Sequence, residues 1–153
     1  MTISGFKQPQ ISEYEEIDVF QLLDQVIGQC RSQTGSRTGL QNMAQRDLPR
    51  LRCAPDLIKY ALQTLTTNAI RAIPDGGDVE LSAKLAFGGM VMRVRAHPED
   101  SCPSLAATLT ANNGGSNLAV VQQIVHQHGG LVRVEPNTYR GVTISMLLPM
   151  ECR

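Results

Sequence analysis

The stretch "NGGSNLAVVQQIVHQHGGLVRVEP", residues 113–136, decides how the rest of this chain is read. Two glycines lead into an apolar-patterned run, two more end it, and a short alternating segment follows. The run predicts a helix, His128-Gly129-Gly130 its end, and "LVRVEP" a strand. A glycine pair at a helix entry has two readings. It cradles phosphate with its backbone, or it is only the flexible approach to a packed helix.

Working outward, "GVTISMLLP" follows as a second alternating run and makes a hairpin with "LVRVEP". Upstream, "DVELSAKLAF" and "MVMRVRA" alternate around a turn expected at Gly88–Gly89. The segment "HPEDSCPSLAATLTANNGG" is irregular, with room for a helical turn or two. The strongest helix is "APDLIKYALQTLTTNAIRAI", residues 54–73. Pro55 and Asp56 suit its first turn, and Ile58, Ala61, Leu62, Leu65, Ala69 and Ala72 form its apolar stripe. "DVFQLLDQVIGQC" predicts another helix, N-capped by Asp18. "YEEIDVF" opens with a short strand, and "LQNMAQRDLPRLRC" holds one on each side of a turn. The order is helix, helix, hairpin, helix, hairpin, which predicts a mixed sheet with helices on one face. Residues 1–12 read as a tail or linker and 13–150 as one domain.

Composition narrows the function. The chain has 153 residues, enough for one domain with a proper core. Fourteen basic residues balance fourteen acidic ones, so no net field draws nucleic acid or an anionic membrane. Trp is absent and Phe and Tyr number three each, too few for a base-stacking platform. Cys30, Cys53, Cys102 and Cys152 are widely spread, and with no leader peptide in view they read as reduced cytosolic thiols. No apolar run reaches the roughly 20 residues that span a bilayer. His126 and His128 are two apart, on different sides of a helix, and do not suggest a metal site. His97 has no Ser or Cys partner by spacing, and "SEYEE" reads as a solvated acidic face.

Chemistry concentrates in "QTLTTNAIRAIPDGG". On a helix, Thr64, Asn68 and Arg71 share one face at i, i+4 and i+7. An Asn carbonyl can complete the oxygen shell of a phosphate-bound Mg²⁺, and a guanidinium can meet phosphate oxygens. The same residues also fit an ordinary solvated helix face.

Residues 48–83, "LPRLRCAPDLIKYALQTLTTNAIRAIPDGGDVELSA", resemble the N box of the GHKL ATPases, specifically sensor histidine kinases of the nitrogen-regulation type. There a helix carrying Asn-Leu-x-x-Asn-Ala runs into a Gly-Gly turn and a strand. The stretch "GGSNLAVVQQIVHQHGGLVRVEPNTYRGVTISMLLP" is similar to that family's ending: a glycine-rich G2 box, a helix, His-Gly-Gly, a hairpin and Leu-Pro. "EEIDVFQLLDQVI" looks like the segment after the dimerisation helices. The resemblance covers roughly residues 14–149.

It implies a two-layer α/β sandwich, a mixed sheet covered on one face by three helices. It further implies a catalytic, ATP-binding domain of a two-component sensor histidine kinase. Asn68 falls at the Mg²⁺-binding Asn, and Arg71 at the usual basic residue. Thr64 replaces the first polar residue of the N box. Gly114, Gly115 and Leu118 fall in the nucleotide-binding G2 box, where Asn113 and Asn117 stand for two other glycines. After "MVMRVRA" the family's Asp-x-Gly-x-Gly gives way to "HPEDSCP"; Asp100 is the nearest carboxylate, out of register. The lid is short, and Val142 stands where a Thr is usual.

These departures lead us to expect a degenerate site with weak or no ATP binding, using Mg-ATP if active. The implied partners are phosphoacceptor histidine helices, in cis or in trans, and a response regulator, with no nucleic acid and no membrane insertion, in the cytoplasm. The alternative is a non-catalytic module of the same fold, an interaction or phosphotransfer scaffold docking a signalling partner.

Overall fold

The computed structural model describes residues 14–33, 38–73, 76–98, 117–136 and 141–150. Strand β1 (Glu15–Ile17) leads into helix α1 (Val19–Cys30). The carboxylate of Asp18 caps α1 by accepting from the Gln21 N–H at 3.2 Å. Strands β2 (Thr38–Asn42) and β3 (Leu51–Cys53) follow, then helix α2 (Pro55–Ala72). Strands β4 (Gly77–Ala86) and β5 (Gly89–Pro98) form a hairpin. Helix α3 (Asn117–Gln127) precedes the closing hairpin of β6 (Leu131–Pro136) and β7 (Val142–Pro149).

The main sheet has the order β2-β4-β5-β7-β6, and β1 and β3 make a separate antiparallel ladder. Pairing is antiparallel except between β2 and β4. The expected mixed sheet and three helices are therefore present. The two short strands flanking the 43–50 turn do not pair with each other: β2 joins the main sheet and β3 joins β1.

Alternation sorts each strand by face. Val79, Leu81 and Ala83 of β4, Met90, Met92, Val94 and Ala96 of β5, and Val142, Ile144, Met146 and Leu148 of β7 are buried. Against them pack the apolar stripes of α1 (Val19, Leu22, Leu23, Val26, Ile27), α2 (Ile58, Ala61, Leu62, Leu65, Ala69) and α3 (Leu118, Val121, Ile124, Val125), in one core. The opposite sheet face carries Arg93 and Arg95, whose Nε atoms donate to Ser145 Oγ and Thr143 Oγ1, both at 3.4 Å. There His97 sits 3.6 Å from Glu80 Oε1.

The first hairpin turns one residue earlier than the glycine pair suggests. Phe87 and Gly88 make the turn, both at positive φ, while Gly89 already pairs within β5. Gly89 is needed as a strand residue, because a Cβ there would strike the Leu148 carbonyl of β7. Phe87 takes a left-handed conformation that glycine would adopt freely.

His128 closes α3, as its sequence position suggests, and also ties together distant parts of the fold. Its ring is buried, Nδ1–H donates to the Ile124 carbonyl at 2.8 Å, and Nε2 accepts from the Ala54 N–H at 3.1 Å. The Tyr14 ring stacks on it, with centroids 4.9 Å apart. Burial lowers its pKa from the ordinary 6.5, and the bond to Ile124 opposes this more weakly. Below pH 6.5 the unfolded chain therefore takes up a proton that the folded chain resists. The contribution of neutral His128 is complete above that pH and declines as pH falls through it. Thermal melts between about pH 7.5 and 5.5 are expected to show the midpoint dropping more in the parent than in His128→Gln. Equal drops would exclude His128 as the titrating group.

Candidate functional site

The polar residues of α2 are not scattered. Tyr60, Gln63, Thr64, Thr67, Asn68 and Arg71 line one cleft of about 400 Å³, joined by Gln29 and Cys30 from the last turn of α1. Their spacing is i, i+3, i+4, i+7, i+8 and i+11, one stripe along the helix. The face opposite carries Leu62, Leu65 and Ala69 into the core. Thr66 belongs to neither: buried, its hydroxyl donates to the Leu62 carbonyl at 2.7 Å.

The sequence-expected trio of Thr64, Asn68 and Arg71 is thus brought together. Asn68 is only 3% exposed, which rules out a plain solvated face at that position. Among the described residues, no hydrogen bond engages its amide, and no fully enclosed side-chain N or O is left unsatisfied. The amide therefore opens onto the cleft, available to a ligand. Arg71 is exposed at the rim and is, among the described residues, the one charged group in the lining.

Tyr60, Gln63, Thr67, Gln29 and Cys30 escaped the sequence reading. The first three continue the Thr64–Asn68 stripe and were findable by the same spacing. The α1 pair required knowing how two helices pack. Burial pushes the Cys30 thiol up, against a smaller pull downward from its hydrogen bond with Thr67. It is a protonated wall of the cleft, not a nucleophile.

Other expected positions are differently placed. The Leu118 side chain points into the core, leaving only the backbone of the first α3 turn for a ligand. Asp100, Asn113, Gly114 and Gly115 lie outside the described residues. Strand β5 ends with Ala96, His97 and Pro98, so the last residues of that strand bring no carboxylate. Among the described residues no group of three His, Cys, Asp or Glu could hold a metal. A divalent ion here would depend on the Asn68 carbonyl together with oxygens of its ligand. That donor set suits a hard cation such as Mg²⁺. No described helix is long and apolar enough to cross a membrane.

No family model matches the chain. Over 155 residues it is 28% identical to the sensor histidine kinase ZraS of Klebsiella oxytoca, covering 94% of this chain and 33% of that one. The chain spans about a third of the length of that relative, and less of others such as sporulation kinase E of Bacillus subtilis, at 21%. Among solved structures, the catalytic domain of histidine kinase ThkA superposes with a TM-score of 0.75 at 20% identity, covering 90% of this chain and 96% of ThkA's. Full-length ShkA in complex with AMPPNP gives 0.77 at 20% identity, over 97% of this chain and 33% of ShkA.

Proposed function

We propose, for a chain homologous to sensor histidine kinases and sharing the fold of their catalytic domains, that the α2 cleft is its nucleotide site. Residues 13–150 act as one ATP-handling domain that holds Mg-ATP weakly and presents phosphate to a histidine carried on another segment or chain. The observation that carries this reading is the buried amide of Asn68, which has no hydrogen-bond partner among the described residues and opens onto a cleft beside Arg71.

Each residue has a definable task. The Asn68 carbonyl supplies one oxygen ligand to Mg²⁺, whose role when bound is to neutralise phosphate charge. The Arg71 guanidinium meets phosphate oxygens from the rim. The hydroxyls of Thr64 and Thr67 donate to or accept from the same groups. Thr64 has no basic group with which to activate water, so the site does not favour hydrolysis. Transfer of the γ-phosphoryl group to a neutral imidazole needs no base from α2: the imidazole lone pair forms the N–P bond as the P–O bond to the β-phosphate breaks and ADP leaves. A cytoplasmic setting and a response regulator downstream complete the reading.

One observation favours a second function, a non-catalytic docking module: among the described residues the end of β5 brings no carboxylate, the group that in the resembling kinases accepts from the adenine amino group. Calorimetric titration with Mg-ATP separates the two. The parent is expected to bind weakly and only with Mg²⁺, and Asn68→Ala to lose that binding. Equal binding by both would remove the α2 cleft from the site. A parent that binds no nucleotide would favour the docking module.

A further inference from the structure

His128 sits where α3 ends and α2 begins, and the geometry there reaches further than a helix cap. Ala54, the N-cap residue of α2, has no side chain with which to cap, and Pro55 follows it. Its buried N–H finds an acceptor in His128 Nε2, while Nδ1–H of the same ring holds the Ile124 carbonyl one turn back in α3. The ring thus joins the foot of one helix to the end of the other. The C-terminal end of α3 meets the N-terminal end of α2, and the two helices pack on each other. From His128 back to Leu118 is ten residues, 128 minus 118, and from Ala54 forward to Thr64 is also ten, 64 minus 54. Each amounts to about 15 Å of helix. Counted from the joint, Thr64 and the first turn of α3, whose N–H groups have no partner within the helix, lie the same length of helix away, with Asn68 one turn further along α2.

Apolar packing of Val121 and Val125 chooses the face that α3 presents, but it is non-directional and permits sliding along the axis. The Nε2 bond to the Ala54 N–H is directional, comes from a ring anchored in its own helix by Nδ1, and ties α3 to one backbone atom at the start of α2. We propose that His128 is a positioning residue: it sets the axial place of α3 on α2 and so holds the α3 N-terminus opposite the Asn68 cleft. This rests on the nucleotide-site reading only for its functional consequence. The mechanical part stands on the joint itself.

The test separates the two parts. Spin labels go on Asp56→Cys of α2 and Ala119→Cys of α3, both exposed, with Cys102 and Cys152 replaced by Ser and the buried Cys30 and Cys53 kept. The comparison is between His128, His128→Phe, which keeps a stacking ring without either nitrogen, and His128→Gln, which restores an acceptor. The label distance in His128→Phe is expected to shift or broaden by at least about 1.5 Å, one residue of rise, and to return in His128→Gln. If Phe prevents folding, the labels are read in sucrose, which favours the compact state. An unchanged distance in folded His128→Phe overturns the proposal. In the unlabelled proteins, Mg-ATP affinity is expected to fall about tenfold in His128→Phe, the equivalent of about 1.4 kcal/mol, and to recover in His128→Gln. Unchanged affinity beside a moved helix overturns the functional half. A parent that binds no Mg-ATP while its labels respond to Phe refutes the nucleotide site and upholds the joint.

Discussion

Leu65→Ala is expected to cost about 2–5 kcal/mol of folding free energy, measured as a lower urea midpoint with an unchanged slope. Leu65 is fully buried in the middle of α2, on the face opposite the cleft. Its neighbours on that face include Ala61 and Ala69, too short to swing into the space left behind. The helix is also held from both sides, by α1 and α3, so the site cannot close by moving α2 alone. These conditions place the loss in the upper part of the range, where a cavity persists. A cost under about 0.5 kcal/mol, typical of surface positions, would mean that α2 presents another face to the sheet.

Gly130→Ala is expected to be as damaging for the opposite reason. Gly129 and Gly130 end α3 with two backbone bonds, Gly129 N–H to the His126 carbonyl at 2.9 Å and Gly130 N–H to the Val125 carbonyl at 2.9 Å. This is the Schellman arrangement. The two glycines are required for different causes. Gly129 has φ +80°, and a Cβ there meets only Pro149 Cγ at 3.6 Å, so alanine costs backbone strain of about 1–2 kcal/mol. A Cβ on Gly130 would collide with the Leu147 carbonyl of β7 and press on Val125 Cγ1 at 3.0 Å. Neither the strand backbone nor the buried valine can give way cheaply, so the expected cost is about 3 kcal/mol or more. Chemical denaturation of the two single variants checks the order. A Gly129→Ala protein less stable than Gly130→Ala would contradict this account of the joint.

Helices were the most legible part of the chain, since their apolar stripes repeat within a few residues and survive without knowledge of neighbours. The same spacing exposed Thr64, Asn68 and Arg71 as one face, and extended by a turn it would have caught Tyr60, Gln63 and Thr67. Long-range choices were not legible. Nothing near "TGLQN" tells β2 to lie parallel to β4 and not beside β3, because that pairing depends on where α2 returns the chain. The position of the first turn was misread because Gly89 looks like a turn residue. Its reason for being glycine is a carbonyl on β7, far along the sequence. His128 was recognised as a helix end, but its partner Ala54 lies 74 residues away. The contribution of α1 to the cleft was hidden for the same cause.

Central strand β5 meets its two neighbours over very different lengths of chain. It reaches β4 through the Phe87–Gly88 turn, a closure of low entropic cost. Its other neighbour, β7, comes back only after α3 and β6 have been laid down. Sequence-local contacts form before distant ones repay their closure entropy. The β4–β5 ribbon and the α2 stripe against it are thus suited to nucleate folding, with β7 zipping onto β5 afterwards. Weakening the β5–β7 seam is then expected to leave the folding rate nearly intact and to speed unfolding instead, as stopped-flow kinetics would show. The lifetime of the folded state, more than the speed of reaching it, would then rest on the last hairpin of the chain.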